Sequence, residues 1–181
     1  KNGGQAILTD NKHKTGTDRI FEALKKINIS NIELVMNLQG DEPLIDVNDI
    51  RYLNSQMIKF RSKLGTLASK ISDNKIYDNH NVVKIWMNNH EVLLFSRDPH
   101  ELNETSNRYR HLGIYAYSLS TLSLFVSWDM SEGEKTQKLE QLRGFENGLK
   151  FGAKISVSKV HLGIDTPSDI DKALEIIKNG N

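Results

Sequence analysis

Apolar residues recur along the chain with two different periods, and the switching between them predicts an alternating α/β protein. In residues 17–27 they recur every three to four positions. Thr15 followed by Asp18 has the form of a capping box, so a helix is predicted there. Residues 34–38 read as a buried strand, which stops at the polar, proline-containing segment 39–43.

The same patterns place the remaining elements. We predict a second helix at residues 47–63, strands at 64–69, 82–87, 92–96, 112–117 and 155–160, an exposed loop at 98–110 and a helix at 134–149. Residues 88–90, between two of these strands, are predicted to form a hairpin turn. The last helix has Thr166 as its N-cap and Pro167 as its first residue, and Gly180 stands beyond its end. Its predicted core-facing stripe consists of Ile170, Ala173, Leu174 and Ile177.

Composition restricts the classes of function. The length of 181 residues, without repeats or a low-complexity linker, favours one domain. The net charge is +1, from 24 basic and 23 acidic residues, so no overall field attracts nucleic acid. The absence of cysteine excludes disulfides and thiolate chemistry and agrees with a reducing cytoplasm. No apolar run approaches the length of a membrane span, so we expect a cytoplasmic protein that binds neither nucleic acid nor membrane.

Two carboxylates lie in predicted loops between a strand and a helix, where ligands bind in open α/β sheets. Asp41 follows the first strand, and an Asp there suits Mg²⁺, which prefers one or two carboxylates together with substrate phosphates. Asp165 lies one residue before the N-cap of the last helix. An ordinary strand-ending turn and helix-start electrostatics explain the same residues. Both interpretations stay open, because a shared metal requires the two loops to be adjacent.

Other polar residues also suggest a binding site. Residues 13–19 open a helix with small, hydroxyl and basic side chains, and free amides at such an end bind phosphate or a polar base edge. Arg97 ends a predicted strand, and His111 and Tyr115 share one face of another. Because Arg binds carboxylate in a bidentate way, this combination suits a carboxylated, polyhydroxylated ligand. Taken singly, each residue has an alternative role in a surface salt bridge or core hydrogen bond.

Seven segments occur in an order that resembles the cytidylyltransferases that activate 3-deoxy-manno-octulosonate. The likeness extends from Gly3 to the final helix. The combination of Gln-Gly-Asp-Glu-Pro, Arg-His-Leu-Gly-Ile-Tyr and Leu-Glu-Gln-Leu-Arg is specific to that family. The segments are residues 13–19, 37–44, 81–84, 95–97, 110–117, 139–143 and 163–166.

The resemblance implies a Rossmann-like α/β nucleotidyltransferase fold with a mixed sheet, usually a homodimer, that uses CTP and Mg²⁺. The sugar's anomeric hydroxyl would attack the α-phosphorus of CTP, giving the CMP-sugar and pyrophosphate for lipopolysaccharide core synthesis. By the same likeness, the catalytic and metal-binding carboxylates are Asp41 and Asp165. The implied sugar-acid pocket consists of Gln39, Arg97, His111, Tyr115, Glu140 and Gln141. The implied nucleotide-binding residues are Lys14, Thr15 and Gly16.

Three features depart from the family pattern. The family opens with a strand and a loop containing Arg and Lys that binds the CTP phosphates. No such segment precedes Gly3, so we expect the fold to lack its first βα segment. Gln137 stands where the family usually has a carboxylate, and the loop after Arg97 is shorter than usual. The alternatives are therefore a cytidylyltransferase for a related sugar acid, such as sialic acid, and an inactive remnant that serves as a binding or interaction module.

Overall fold

The computed structural model describes residues 3–27, 29, 31–101, 108–158, 161–164 and 166–179. Within them the chain forms seven α-helices, six β-strands and a single 3₁₀ turn at Pro99–Glu101. The helices are α1 (Gly16–Lys26), α2 (Val47–Phe60), α3 (Asn74–Tyr77), α4 (Leu119–Phe125), α5 (Glu132–Gln137), α6 (Gln141–Glu146) and α7 (Pro167–Lys178). The strands are β1 (Leu34–Leu38), β2 (Leu64–Lys70), β3 (Lys84–Asn88), β4 (Glu91–Ser96), β5 (Tyr109–Ser118) and β6 (Gly152–Ile155).

The six strands form one mixed sheet in the order β1-β5-β2-β6-β4-β3. β2 and β6 run parallel, and the other described neighbours are antiparallel. The ten-residue β5 pairs with β1 and with β2, and its first residues also pair with β3, where Lys84 lies opposite Arg110. β5 therefore connects the loop after β1 with the β3–β4 hairpin.

Helices pack on both faces of the sheet. One core cluster joins α1, α4 and α6 to the sheet and contains Phe95, Tyr117 and Phe125. The other packs Leu53 and Met57 of α2 against β2 and β5. Because successive side chains of a strand point to opposite faces, β5 contributes to both clusters. No helix within the described residues combines the length and apolarity needed to cross a bilayer.

The predicted first helix and the predicted hairpin are confirmed. α1 begins after Thr15, whose hydroxyl accepts a hydrogen bond from the Asp18 amide at 3.3 Å. The β3–β4 hairpin turns at Asn89, which adopts a positive φ of 54°. Local turn and cap chemistry determines both features, which is why a single sequence predicts them.

The start of the last helix is confirmed, but most of its predicted core stripe is wrong. The Asp169 carboxylate accepts a hydrogen bond from the Thr166 amide at 3.0 Å, which completes the cap before Pro167. Of the predicted stripe only Ala173 is buried. The other three members remain about half exposed, namely Ile170, Leu174 and Ile177. Gly180, expected beyond the end of the helix, lies outside the described residues.

The predicted helix at residues 134–149 is wrong, because two short helices occupy that segment. Lys138 adopts a left-handed conformation with φ 55°, which ends α5 and turns the chain before α6 begins. This turn buries Leu139 and Leu142 in the first core cluster and places Glu140 at the start of α6. Tertiary packing therefore overrides a continuous apolar periodicity here.

Further boundaries differ from the prediction, since α2 ends at Phe60 rather than at residue 63 and β3 begins at Lys84 rather than at residue 82. The strand predicted at residues 155–160 is β6 at Gly152–Ile155, because pairing with β2 begins where Gly65 meets Gly152. Of the loop predicted at residues 98–110, residues 102–107 lie outside the described residues, and β5 already begins at Tyr109. α3 and α4 were not predicted, because each is too short for a clear period.

A buried ion cluster, formed by Arg143, Glu134 and Asp18, holds α1, α5 and α6 together. Arg143 is 2% exposed and donates two hydrogen bonds to Glu134, at 2.8 and 2.7 Å. It donates two more to Asp18, at 2.7 and 3.2 Å. Burial works to raise the pKa of Asp18, but hydrogen bonds from Arg143 and Thr15 outweigh it and lower the pKa. Asp18 is therefore ionised at neutral pH.

We expect Arg143→Met to lower the free energy of unfolding by about 3–5 kcal/mol, because it leaves the Glu134 carboxylate buried without its partner. The matched control is Lys172→Gln, which removes an exposed ion pair with Asp169 and should cost about 1 kcal/mol or less. Urea unfolding followed by circular dichroism measures both. Equal losses in the two variants would contradict the stabilising role of the buried ion cluster.

Candidate active site

A pocket of about 1050 Å³ lies beyond the carboxyl end of β1 and beside the first half of β5. It is large enough for a nucleotide and a small acid together. The predicted site residues that line it are Lys14, Thr15, Gln39, Asp41, Arg97, His111, Tyr115, Glu140 and Gln141. Gly16 lies against its wall, because a Cβ at that position would stand 3.2 Å from Gln39 Oε1. Asp165 lies outside the described residues, so the structure does not place it.

Glu140 connects the start of α1 with the loop after β1. Its two carboxylate oxygens accept hydrogen bonds from the Thr17 amide and from Gln39 Nε2, both at 3.3 Å. Burial raises the pKa of Glu140, and the nearby Asp18 charge adds to the increase. The carboxyl group of Glu140 therefore carries hydrogen bonds from two separate walls of the pocket.

The start of α1 is less open to an anion than its sequence predicts. The amide of Thr17 donates to Glu140, and that of Asp18 donates to the Thr15 hydroxyl. The amide of Arg19 donates to the Thr15 carbonyl at 3.3 Å. Protein acceptors therefore already use the Thr17 and Asp18 amides, which precede the first intrahelical hydrogen bond, and the binding of a nucleotide at this helix end stays a prediction.

Tyr115 and Gln141 form a buried pair on the pocket wall. The Tyr115 hydroxyl donates to Gln141 Oε1 at 3.1 Å. Burial, reinforced by Glu140, raises the pKa of Tyr115 well above its usual value, so the phenol keeps its proton. Gln141 is 3% exposed, and its Nε2 has no hydrogen-bond partner within the described residues. Because buried donors are almost always paired, this amide is suited to an acceptor atom of a ligand.

His111 packs between aromatic rings of the core. Its ring meets the edge of Phe95 with centroids 5.2 Å apart, and it lies at the same distance from the ring of Tyr115. The prediction that His111 and Tyr115 share a face is therefore confirmed. Burial lowers the pKa of His111 to about 3, so the imidazole is neutral at physiological pH.

Arg97 is held at the rim by main-chain carbonyls. Its Nε donates to the carbonyl of Gln137 at 3.1 Å, and its Nη1 donates to the carbonyls of His80 and Asn81 at 3.3 and 3.0 Å. Within the part of the chain that the structure describes, its Nη2 donates no hydrogen bond. The guanidinium therefore keeps donors for an anion while its position is fixed.

Lys84 is a buried cation that the sequence analysis did not single out. It is fully buried, and its Nζ donates to the carbonyls of Asn79 and Arg97 at 2.8 and 2.7 Å. Burial lowers the pKa of this lysine. Lys84 thus links two segments. One is residues 79–81, where the His80 and Asn81 carbonyls accept from Arg97, and the other is the backbone at Arg97 itself.

The loops that carry Asp41 and precede Asp165 are adjacent. The Ile164 amide donates to the Asp41 carbonyl at 2.8 Å. A Cβ built on Gly163 would lie 3.4 Å from Glu42 Oε1. The neighbouring loops that a shared metal requires are therefore present, although Asp165 itself is not described. Within the described residues no three metal-binding side chains cluster together.

Three polar residues that shape the pocket are not among the predicted site residues. Arg110 donates to the His161 carbonyl at 2.6 Å and lines the pocket. Lys84 holds the Arg97 backbone, and Arg143 fixes the start of α1. Arg110 and Arg143 occur in segments that the analysis singled out, but their long-range partners leave no local signal. Lys84 is the last residue of another such segment, residues 81–84, and the sequence alone does not predict that its side chain is buried.

The pocket wall carries six cations and five carboxylates within the described residues. The lining cations are Lys14, Arg97, Arg110, Lys135, Lys138 and Lys172. Of the lining carboxylates, Glu134 is bound to Arg143 and Asp169 is bound to Lys172, and burial raises the pKa of Glu140. The other two are Asp41 and Glu42. The pocket therefore suits a ligand that carries several negative charges. A mixed sheet with such a pocket beyond the carboxyl end of a strand is the arrangement of an α/β nucleotidyltransferase.

Comparison with known proteins identifies the family. The structure of a CMP:2-keto-3-deoxy-manno-octonic acid synthetase complexed with CTP gives a TM-score of 0.87, with 31% identity, over 99% of this chain and 74% of that one. The 3-deoxy-manno-octulosonate cytidylyltransferases of Thermodesulfovibrio yellowstonii and Afipia carboxidovorans are each 39% identical, over 94% and 97% of this chain and 72% of each relative. A family model described as Cytidylyltransferase matches residues 1–155. The chain belongs to the 3-deoxy-manno-octulosonate cytidylyltransferase family.

We expect Tyr115→Phe to lower the free energy of unfolding by about 1–3 kcal/mol, because it leaves the buried Gln141 oxygen without its donor. Tyr117→Phe is the matched control. Its hydroxyl makes only a 3.4 Å contact with Thr17, and its removal should cost about 1 kcal/mol or less. Denaturant unfolding without ligand measures both losses. A larger loss for Tyr117→Phe would show that the Tyr115–Gln141 pair does not stabilise the pocket wall.

Proposed function

We propose that this chain transfers CMP from CTP to 3-deoxy-manno-octulosonate and releases pyrophosphate. The observation that best supports this proposal is the cation-lined pocket, which carries the implied sugar-acid and nucleotide residues on adjoining walls. The fold is shared with a synthetase complexed with CTP. The same family resemblance extends the proposal to a role in lipopolysaccharide core synthesis.

The sugar acid is proposed to bind beside β5 and the start of α6. A carboxylate needs donors, and Arg97 Nη2 and Gln141 Nε2, neither of which has a hydrogen-bond partner among the described residues, would supply them. Sugar hydroxyls need both donors and acceptors, which Tyr115, His111 and Glu140 offer. Because His111 is neutral, the positive charge in this part of the pocket comes from guanidinium and ammonium groups.

The nucleotide is proposed to bind beside the start of α1, at Lys14, Thr15 and Gly16. Lys14 is exposed and lines the pocket, so its ammonium group is available to an anion. The close approach between Gly16 and Gln39 leaves no room for a larger side chain unless Gln39 moves. Since Glu140 bonds both Thr17 and Gln39, nucleotide and sugar acid would occupy neighbouring parts of one pocket.

Mg²⁺ is proposed as the metal, held by Asp41 together with Asp165. The fit rests on the Asp41 carboxylate in the pocket wall and on the hydrogen bond that brings Ile164 to its carbonyl. A small number of carboxylates suits Mg²⁺, which completes its octahedron with water and substrate phosphates. When bound, such an ion neutralises phosphate charge and lowers the pKa of an attacking hydroxyl.

The protein's own contribution to the reaction is proposed to be positioning. Attack by a sugar hydroxyl on phosphorus requires the two atoms to meet in line, and held orientation lowers the barrier by several kcal/mol, about 7–11 in model reactions. Main-chain carbonyls fix the guanidinium of Arg97, and the carboxylate of Glu140 accepts two hydrogen bonds. Such orientation needs rigid groups of this kind.

A homodimer in the cytoplasm is the remaining part of the proposal, drawn from the family resemblance and from the cysteine-free composition. We expect sedimentation velocity to give a species of twice the 20.6 kDa chain mass at micromolar concentration. A single species of monomer mass across the accessible concentration range would contradict the dimer.

We expect the purified 181-residue chain to release pyrophosphate from CTP only when Mg²⁺ and 3-deoxy-manno-octulosonate are both present. Asp41→Asn should lower kcat by at least about a hundredfold, because it removes a negative charge that the reaction is proposed to use. Glu33→Gln is the control, since Glu33 is exposed and does not line the pocket. A coupled pyrophosphate assay measures both variants.

Substituting other sugar acids in the same assay tests the alternatives. Faster turnover of sialic acid would indicate a related cytidylyltransferase with a different substrate. Saturable binding of the sugar acid without pyrophosphate release would contradict catalysis and favour the inactive binding module. Full activity in Asp41→Asn would contradict the proposed role of that carboxylate.

A further inference from the structure

Thr66, in the middle of β2, lies in direct contact with His111. Its side chain is fully buried, and its hydroxyl oxygen lies 2.9 Å from His111 Nε2. The same oxygen lies 2.7 Å from the carbonyl of Ile114 and 3.3 Å from that of Leu112. One hydroxyl is therefore surrounded by two carbonyl oxygens and an imidazole nitrogen.

An irregularity in the sheet creates this arrangement. Thr66 pairs with Tyr115, whereas the next residue, Leu67, pairs with Leu112. β5 thus carries two extra residues between these pairs, Gly113 and Ile114. Such a bulge interrupts the regular ladder and re-aims the groups beside it. The bulge brings the Leu112 and Ile114 carbonyls of β5 to the Thr66 hydroxyl, and the same part of β5 carries His111.

Counting protons fixes the direction of these hydrogen bonds. The Thr66 hydroxyl has one proton, and both carbonyls are acceptors only. At 2.7 Å from the Ile114 oxygen, two bare oxygens would repel each other inside the protein, so the hydroxyl proton lies between them. The Thr66 oxygen must then accept from His111, which places a proton on Nε2.

The packing of the imidazole leaves it with that one proton. The ring lies against Phe95 and Tyr115, and no carboxylate within the described residues forms an ion pair with it. Burial disfavours its charged form. A neutral imidazole that is protonated at Nε2 has an unprotonated Nδ1, which is an acceptor only.

We propose that Thr66 is a positioning residue that holds His111 in the Nε2–H form, so that Nδ1 accepts a hydrogen bond from a hydroxyl of the substrate. The proposal rests on the proposed function only in requiring that the substrate is a polyhydroxylated sugar acid. His111 itself lines the pocket, whereas Thr66 does not and acts through it.

The arrangement also determines what His111 excludes. An unprotonated nitrogen repels a carboxylate, so the substrate carboxylate binds elsewhere in the pocket. Arg97 and Gln141 carry the donors that remain available for it. His111 therefore distinguishes the hydroxylated part of the sugar acid from its acidic part.

Nitrogen-15 NMR of the histidine-labelled chain without substrate tests the tautomer directly. The His111 signals are assigned by their absence in His111→Asn. We expect a pyrrole-type Nε2 and a pyridine-type Nδ1 in the native chain and in Thr66→Ser, and a mixture of tautomers in Thr66→Val. A protonated Nδ1 in the native chain, or unchanged signals in Thr66→Val, would overturn the proposal.

Addition of 3-deoxy-manno-octulosonate tests the second half of the proposal. Nδ1 should shift in the direction of an accepted hydrogen bond, and saturation without such a shift would overturn it. In steady-state kinetics, Thr66→Val should raise KM for the sugar acid roughly threefold to tenfold, with KM for CTP unchanged and Thr66→Ser close to native. If the chain does not bind the sugar acid, the proposed function is contradicted. The tautomer of His111 is measured without substrate, so that result tests the role of Thr66 separately.

Discussion

The guanidinium of Arg143 joins the consecutive helices α5 and α6 to α1, whose Asp18 lies 125 positions away in the sequence, and the pocket depends on where it holds them. Placing one cation and two carboxylates in the interior is costly, and only good geometry offsets the cost. The planar fork meets that condition with four hydrogen bonds to Glu134 and Asp18. Because Asp18 lies in the first turn of α1, the buried ion cluster fixes the helix that carries Thr15 and Gly16.

The buried ion cluster also influences the charge distribution of the pocket. Its two carboxylates face a single cation, so the region around Glu140 is electronegative, and the Asp18 charge contributes to the raised pKa of Glu140. Tyr115 keeps its proton in the same region. Arg97 and Lys14 instead provide cations on other parts of the wall. In the proposed reaction, the phosphates of the nucleotide and the carboxylate of the sugar acid would therefore be drawn to the cations, and the sugar hydroxyls to the electronegative region, before any contact is optimised.

Local chemistry explains which parts of this fold could be predicted from the sequence. The Thr15 cap, the β3–β4 turn and the capped start of α7 depend on neighbouring residues, and the structure contains all three. The break at Lys138 and the register of β6 depend on contacts with distant elements. The site residues could be grouped only through the family resemblance, because partners such as Arg143 and Asp18 are 125 positions apart.

The bulge in β5 shows why the details of the site remained beyond prediction. Period two places His111 and Tyr115 on one face, which the structure confirms. The pattern contains no sign that two extra residues intervene opposite β2, because Leu112 and Ile114 are apolar in either register. Yet that insertion supplies the carbonyls that orient a buried hydroxyl, and the hydroxyl in turn orients the imidazole. Hydrogen-bond direction in this pocket thus follows from backbone geometry, and residue identity alone could not reveal it.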